Sequence, residues 1–106
     1  MVTLEEFKKI ELRVARIVDV QDHPNADKLY LLTVDTGDAQ KKIVAGIRAY
    51  YSQEQLRGKL FILINNLEPA TIRGIESNGM LLAAKDGETL SILTLEREVA
   101  VGSPVS

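Results

Sequence analysis

Residues 12–37 read LRVARIVDVQDHPNADKLYLLTVDTG, two apolar alternations joined by a short polar turn. Leu12, Val14, Val18 and Val20 alternate with Arg13, Ala15, Asp19 and Gln21, the two-residue period of a strand with one buried face. Ile17 falls on the wrong side of that alternation, and a bulge that bends one long strand across two sheet faces accounts for it. DHPNAD, residues 22–27, is turn chemistry, because Pro24 presets its own φ and Asn25 tolerates the tight backbone that follows. A second strand then runs from Leu29 to Thr36 and ends in the turn Thr36-Gly37-Asp38.

Outward from this hairpin the pattern remains one of short strands. Upstream, Thr3 and Glu6 form a capping box ahead of Leu4, Phe7 and Ile10, which predicts a short helix over residues 3–10. Downstream, Lys41 to Ala45 reads as a third strand, and Ser52 with Gln55 caps a helix over Ser52 to Leu56 closed by Gly58. KLFILINNL, residues 59–67, is a central strand by its β-branched and aromatic content. Met80 to Ala84 and Leu90 to Leu93 supply two more, with Asp86-Gly87 turning between them. Five or so strands with one small helix between the third and fourth predict an all-β chain: a five-stranded Greek-key barrel of the oligonucleotide-binding (OB) kind with short helices. A β-sandwich, the alternative, wants more strands.

A chain of 106 residues is one domain's worth, with room for a core but not for a deep catalytic cleft as well. It has no cysteine, hence no disulfide framework and no thiolate metal site. Its first residues lack an apolar signal-peptide core, and no run approaches the roughly 18–20 apolar residues of a membrane span, so the expectation is a cytoplasmic protein without a membrane partner. The net charge of −2 does not announce a nucleic-acid binder. Yet Lys41, Lys42, Arg48, Arg57 and Lys59 share a central stretch whose only acid is Glu54, which allows a local positive field.

Catalytic constellations are missing from the sequence. His23 is the only histidine and lies in the Pro24 turn between Asp22 and Asp27, where a turn residue explains it better than a triad or a calcium loop. Gly74, Ser77 and Gly79 give G-x-x-S-x-G, not the spacing of a nucleophile elbow, and there is no glycine-rich phosphate cradle. The expectation is a protein that is not an enzyme and takes no cofactor or metal. Aromatic residues are few (Phe7, Tyr30, Tyr50, Tyr51, Phe61), which argues against a binder that stacks single-stranded bases; recognition of a folded RNA by shape needs fewer.

Three ordered stretches carry a resemblance: residues 12–37, then IVAGIRAYYSQEQLRGK at 43–59, then NNLEPATIRGIESNGMLLAA at 65–84. Together they resemble the tRNA-binding domain that forms the carboxy-terminal appendix, or a separate β chain, of methionyl-tRNA synthetases. The resemblance implies an OB barrel that grips tRNA by its overall shape, adds affinity to a synthetase catalytic chain or domain, and dimerises. It further implies tRNA contacts at Lys28 after the HPNAD turn, at Asn65, at Arg73, and at the pair Ser77 and Met80. On this reading Arg48 and Lys59 join Lys28 and Arg73 in a basic ring. Blander roles stay open for each: a solvated Lys28, an Asn65 that ties down a turn, a Ser77 that caps one, a Met80 that fills a gap. Glu68 stands where the family often has a lysine, and Ala45 where a serine is common, which implies a salt-sensitive grip of modest strength. The tail LEREVAVGSPVS, residues 95–106, has Val99, Val101 and Val105 with no core partner legible in sequence, and predicts a homodimer interface. A secretion-type chaperone of the same fold, or a scaffold that binds synthetases, are the alternative functions.

Overall fold

The computed structural model describes residues 1–106. α1 (Leu4–Lys8) starts where the capping box places it, with Thr3 Oγ1 accepting from the Glu6 amide at 3.1 Å and the Glu6 carboxylate accepting from the Thr3 amide at 3.3 Å. No residue of α1 is buried, so Leu4 and Phe7, with Ile10 just beyond, present their apolar stripe to solvent.

The strands follow as β1 (Leu12–Asp22), β2 (Tyr30–Asp35), β3 (Gln40–Ala45), then, after α2 (Gln53–Leu56), β4 (Leu60–Ile64), β5 (Ala70–Ile72), β6 (Ile75–Ser77), β7 (Met80–Leu81), β8 (Ala83–Asp86), β9 (Thr89–Ile92) and β10 (Pro104–Val105). The main sheet is antiparallel in the order β3-β2-β1-β4-β7. Its two ends approach each other: the Asn78 amide donates to the Lys42 carbonyl at 2.9 Å, and the Val44 amide to Ser77 Oγ at 2.9 Å. The result is the nearly closed five-stranded barrel expected from the strand count, not a sandwich.

β1 is long enough to serve three partners, meeting β4 over Leu12–Arg16, β2 over Arg16–Asp22 and β10 at Leu12–Arg13. Its register against β2 shifts between Ile17 and Asp19, which is the expected bulge. The structure corrects two residues of the alternation: Ile17 is fully buried as the bulge requires, but Ala15, read as outward, is also buried in the core, and Val18, read as inward, stands exposed. Inside the barrel Ala15, Ile17 and Val20 meet Leu32, Val34, Ile43, Phe61 and Leu63, while α2 plugs one mouth with the fully buried Leu56.

One other expectation is corrected. The strand expected over Met80–Ala84 is broken at Leu82, whose carbonyl turns aside to accept from the Leu93 amide at 2.9 Å, so that the β8–β9 hairpin leans on the barrel. The tail also finds a partner within its own chain. Val105 pairs with Leu12, and Gly102 accepts from Arg13 Nη1 at 3.0 Å. The Thr36 turn receives it at Gly37, where φ is +95° and a Cβ would stand 2.9 Å from the Val101 carbonyl, so only glycine fits. Of the three tail valines only Val99 remains exposed. No helix is long and apolar enough to cross a membrane.

Candidate nucleic-acid interface

The loop from His23 to Leu29 connects β1 to β2, and residues 65–79 connect β4 to β7; in OB barrels these two connections flank the outer β2–β3 face that takes nucleic acid. Here they are joined. The His23 ring accepts the Asn25 amide at Nδ1 (3.0 Å), so the proton sits on Nε2 and is donated to the Ile72 carbonyl at 3.0 Å. Asn25 Nδ2 donates to the Arg73 carbonyl at 3.1 Å, and Arg73 Nη2 returns a bond to the Asn25 carbonyl at 3.1 Å.

Arg73 and Gly74 are the two-residue turn of the β5–β6 hairpin, closed by the pair Ile72 and Ile75. Both take positive φ, 51° and 87°, as a tight hairpin turn of the primed type requires. The turn thus holds Arg73 in a conformation that a side chain rarely adopts and aims it at the neighbouring loop. Lys28 and Arg73 line one recess of about 390 Å³ with Ala26, Asp27 and Leu29. The ion pairs of the molecule engage Arg13, Arg16, Arg48 and Arg57, and neither Lys28 nor Arg73 forms one.

On the other side of the same hairpin lies a mostly apolar groove of about 300 Å³, lined by Val44, Ala45, Leu67, Ile72, Met80 and Leu81 among others, with Glu68 on its wall. Met80 is 46% exposed here. Ser77 is buried, and its hydroxyl accepts from the Val44 amide and donates to the Gly79 carbonyl at 3.2 Å. Replacing Ser77 by Ala leaves the Val44 amide without its partner and is expected to cost about 1–3 kcal/mol, read as a lower denaturation midpoint; an unchanged midpoint would contradict the bond. Gly79, at φ +149°, lets the chain pass where a Cβ would meet Leu63 Cδ1 at 2.9 Å and the Ile64 carbonyl at 3.0 Å. This corner delivers Met80 to the rim.

The outer β2–β3 face between these sites carries Leu31, Thr33 and Asp35 opposite Val44, Lys42 and Gln40. It has no aromatic residue. Tyr30 and Tyr51 are tied into the core, Tyr30 Oη donating to the Tyr51 carbonyl at 2.7 Å, and Tyr50 lies under the Lys85 ammonium at 5.7 Å.

The remaining candidates lie elsewhere. Arg48 is adjacent to the loop, but its guanidinium is paired with Asp22 at 3.1 Å. Lys59 leaves α2 beside Ile17, its carbonyl accepting the Ile17 amide at 2.9 Å. Five strand positions, about 17 Å at ordinary strand rise, separate Ile17, where the Lys59 backbone is held, from Asp22, where Arg48 is paired. Asn65 is at the opposite end of β1, where it accepts from Lys41 Nζ at 2.7 Å and its own amide donates to the Glu11 carbonyl at 2.8 Å.

Asn65 borders a polar cavity of about 290 Å³ with Glu11, Arg13, Thr36, Asp38 and the tail glycine Gly102. The Arg13 guanidinium, 2.7 Å from Glu11, holds that carboxyl below its ordinary value of 4.5, and the Thr36 hydroxyl does the same for Asp38 below 3.8. Lowered folded-state values mean a stabilising contribution that is present above the ordinary carboxylate range and lost as pH falls through the folded values. Glu11→Gln is therefore expected to flatten the acid limb of a thermal-stability profile; an acid limb identical to that of the parent chain would contradict the pairing.

Residues 12–104 match the family model described as "Putative tRNA binding domain". The chain belongs to this tRNA-binding-domain family. Methionine–tRNA ligase of Thermococcus onnurineus is 52% identical over 104 residues, covering 98% of the chain and 14% of the ligase, so the chain spans a small part of the length of the curated relatives it matches. Among solved structures, a "MetRS related protein" from Pyrococcus horikoshii superposes with a TM-score of 0.93 at 33% identity, covering 100% of this chain and 98% of that one. A CsaA chaperone protein from Picrophilus torridus gives 0.93 at 30% identity, with both chains covered in full.

In this tRNA-binding domain the structure therefore brings Lys28 and Arg73 together, sets Ser77 and Met80 in the adjoining groove, and leaves Arg48 paired with Asp22, Lys59 beside Ile17 and Asn65 at the other end of β1. Sequence reasoning missed His23 and Asn25 as the residues that join the two loops. A lone histidine beside a proline turn was the available signal, but the partner at Ile72 lies 49 positions away and leaves no local trace.

Proposed function

We propose that the chain is a non-catalytic module that holds folded tRNA by its outline and raises the tRNA affinity of a methionyl-tRNA synthetase. The observation that carries the reading is the recess shared by Lys28 and Arg73, two cations without acid partners on two loops bonded to each other. Two such charges suit adjacent phosphates, and a β2–β3 face with no aromatic residue suits a folded RNA better than an unstacked strand. Met80 offers an apolar contact at the groove rim. Ser77 and Asn65 act by fixing the backbone, while Arg48 and Lys59 add only to the wider field. A grip of modest strength suffices when tethered, because effective concentration supplies the rest. Gel-shift titration with total tRNA over a salt series is expected to give a clear negative slope of log affinity against log salt; no shift at low salt abandons the reading.

The likeness to CsaA and the apolar groove favour a second reading, a holder of unfolded polypeptides. Suppression of aggregation of an unfolded test protein, undiminished by saturating tRNA, would select it. A homodimer is also proposed, now through the exposed stripe of Leu4, Phe7 and Ile10 with Val99, since α1 leads into the half of β1 along which the tail runs. Sedimentation equilibrium at tens of micromolar is expected to give twice the chain mass; a monomer removes the proposal.

A further inference from the structure

His23 opens a surface loop yet is only 3% exposed, and both of its ring nitrogens are used. Nδ1 holds the turn's own backbone through the Asn25 amide, and Nε2 holds the carbonyl of Ile72, the residue before Arg73. Loop 23–29 and the hairpin turn are otherwise bonded only through the reciprocal Asn25–Arg73 pair. The imidazole is a rigid plane that accepts at one edge and donates at the other, so it fixes the distance between the two elements as well as the fact of contact. Asparagine reproduces only the Nδ1 edge and glutamine only the Nε2 edge.

We propose that His23 is a positioning residue for RNA binding: its neutral ring staples the loop that carries Lys28 to the turn that carries Arg73 and sets the spacing of the two cations. The inference rests on the reading of Lys28 and Arg73 as phosphate contacts. His23 touches no RNA itself. Its contribution is preorganisation, because two loops joined only through the Asn25–Arg73 pair would have to be ordered further at the moment of binding.

The test is a double-mutant cycle on tRNA affinity at one salt concentration, with His23→Asn, His23→Gln, the double variant K28A/R73A, and each His23 variant in the K28A/R73A background. His23→Asn, which removes the bond to Ile72 and leaves only the Asn25–Arg73 pair, is expected to weaken binding about five- to tenfold, and His23→Gln, which keeps the donor to Ile72, to recover most of that loss. In the K28A/R73A background His23→Asn is expected to have no further effect. Equal weakening in both backgrounds, or none in either, overturns the inference while leaving the contact residues in place. If K28A/R73A binds as the parent chain does, the contact assignment falls and the inference with it. Should His23→Asn fail to fold, nitrogen chemical shifts of the His23 ring in the unaltered chain decide: an unprotonated Nδ1 and a protonated Nε2 are expected, and the opposite tautomer overturns the staple.

Discussion

Substituting alanine for both Lys28 and Arg73 is expected to weaken tRNA binding about a hundredfold, roughly tenfold for each cation, and to reduce the salt slope by about two. The argument is electrostatic. Each cation lacks an acid partner, so its charge is available to a phosphate and releases a counterion on binding. Phosphate contacts carry no sequence information, so the loss is expected to be uniform across tRNA species. Loss confined to one species would show that these residues read bases. Arg48→Ala serves as the contrast: its guanidinium already faces Asp22, so its removal is expected to change affinity far less.

Phe61→Ala is expected to cost about 3–5 kcal/mol, a large share of the 5–15 kcal/mol by which domains are ordinarily stable. Phe61 is the largest of the fully buried side chains, and it pairs across the sheet with Ala15 on β1, a neighbour too small to fill the space it would vacate. Val18→Ala, at the exposed bulge, is expected to change stability by less than about 0.5 kcal/mol. Chemical denaturation of both variants reads the difference, and equal midpoints would mean that the bulge and core assignments are wrong.

What could be read in the sequence follows from the range of the forces involved. Both capping boxes and the β1–β2 turn are local, and each appears in the structure at its expected place, as does the bulge that Ile17 demanded, whereas the alternation of β1 is displaced, with Ala15 in the core and Val18 exposed. The break at Leu82 was not legible, because it depends on a bond to Leu93 that alternation does not encode. The pairing of the tail was illegible for a similar reason: Val105 meets Leu12 across nearly the whole length of the chain. Charge clustering is likewise a statement about sequence and not about space. Arg48 and Lys59 fall in the central basic stretch of the sequence, yet one is paired with Asp22 and the other sits beside the bulge, whereas Arg73, outside that stretch, shares the recess with Lys28 through the Asn25 contact.

The central claim is that two bonded loops present a pair of cations without ion-pair partners to the outline of a folded RNA. Competition between folded tRNA and an unstructured RNA of equal length, at one fixed salt concentration, tests it most directly. The account predicts that folded tRNA displaces the unstructured strand and is not displaced by an equal amount of it. Equal competition by the two RNAs, or preference for the unstructured one, would contradict it.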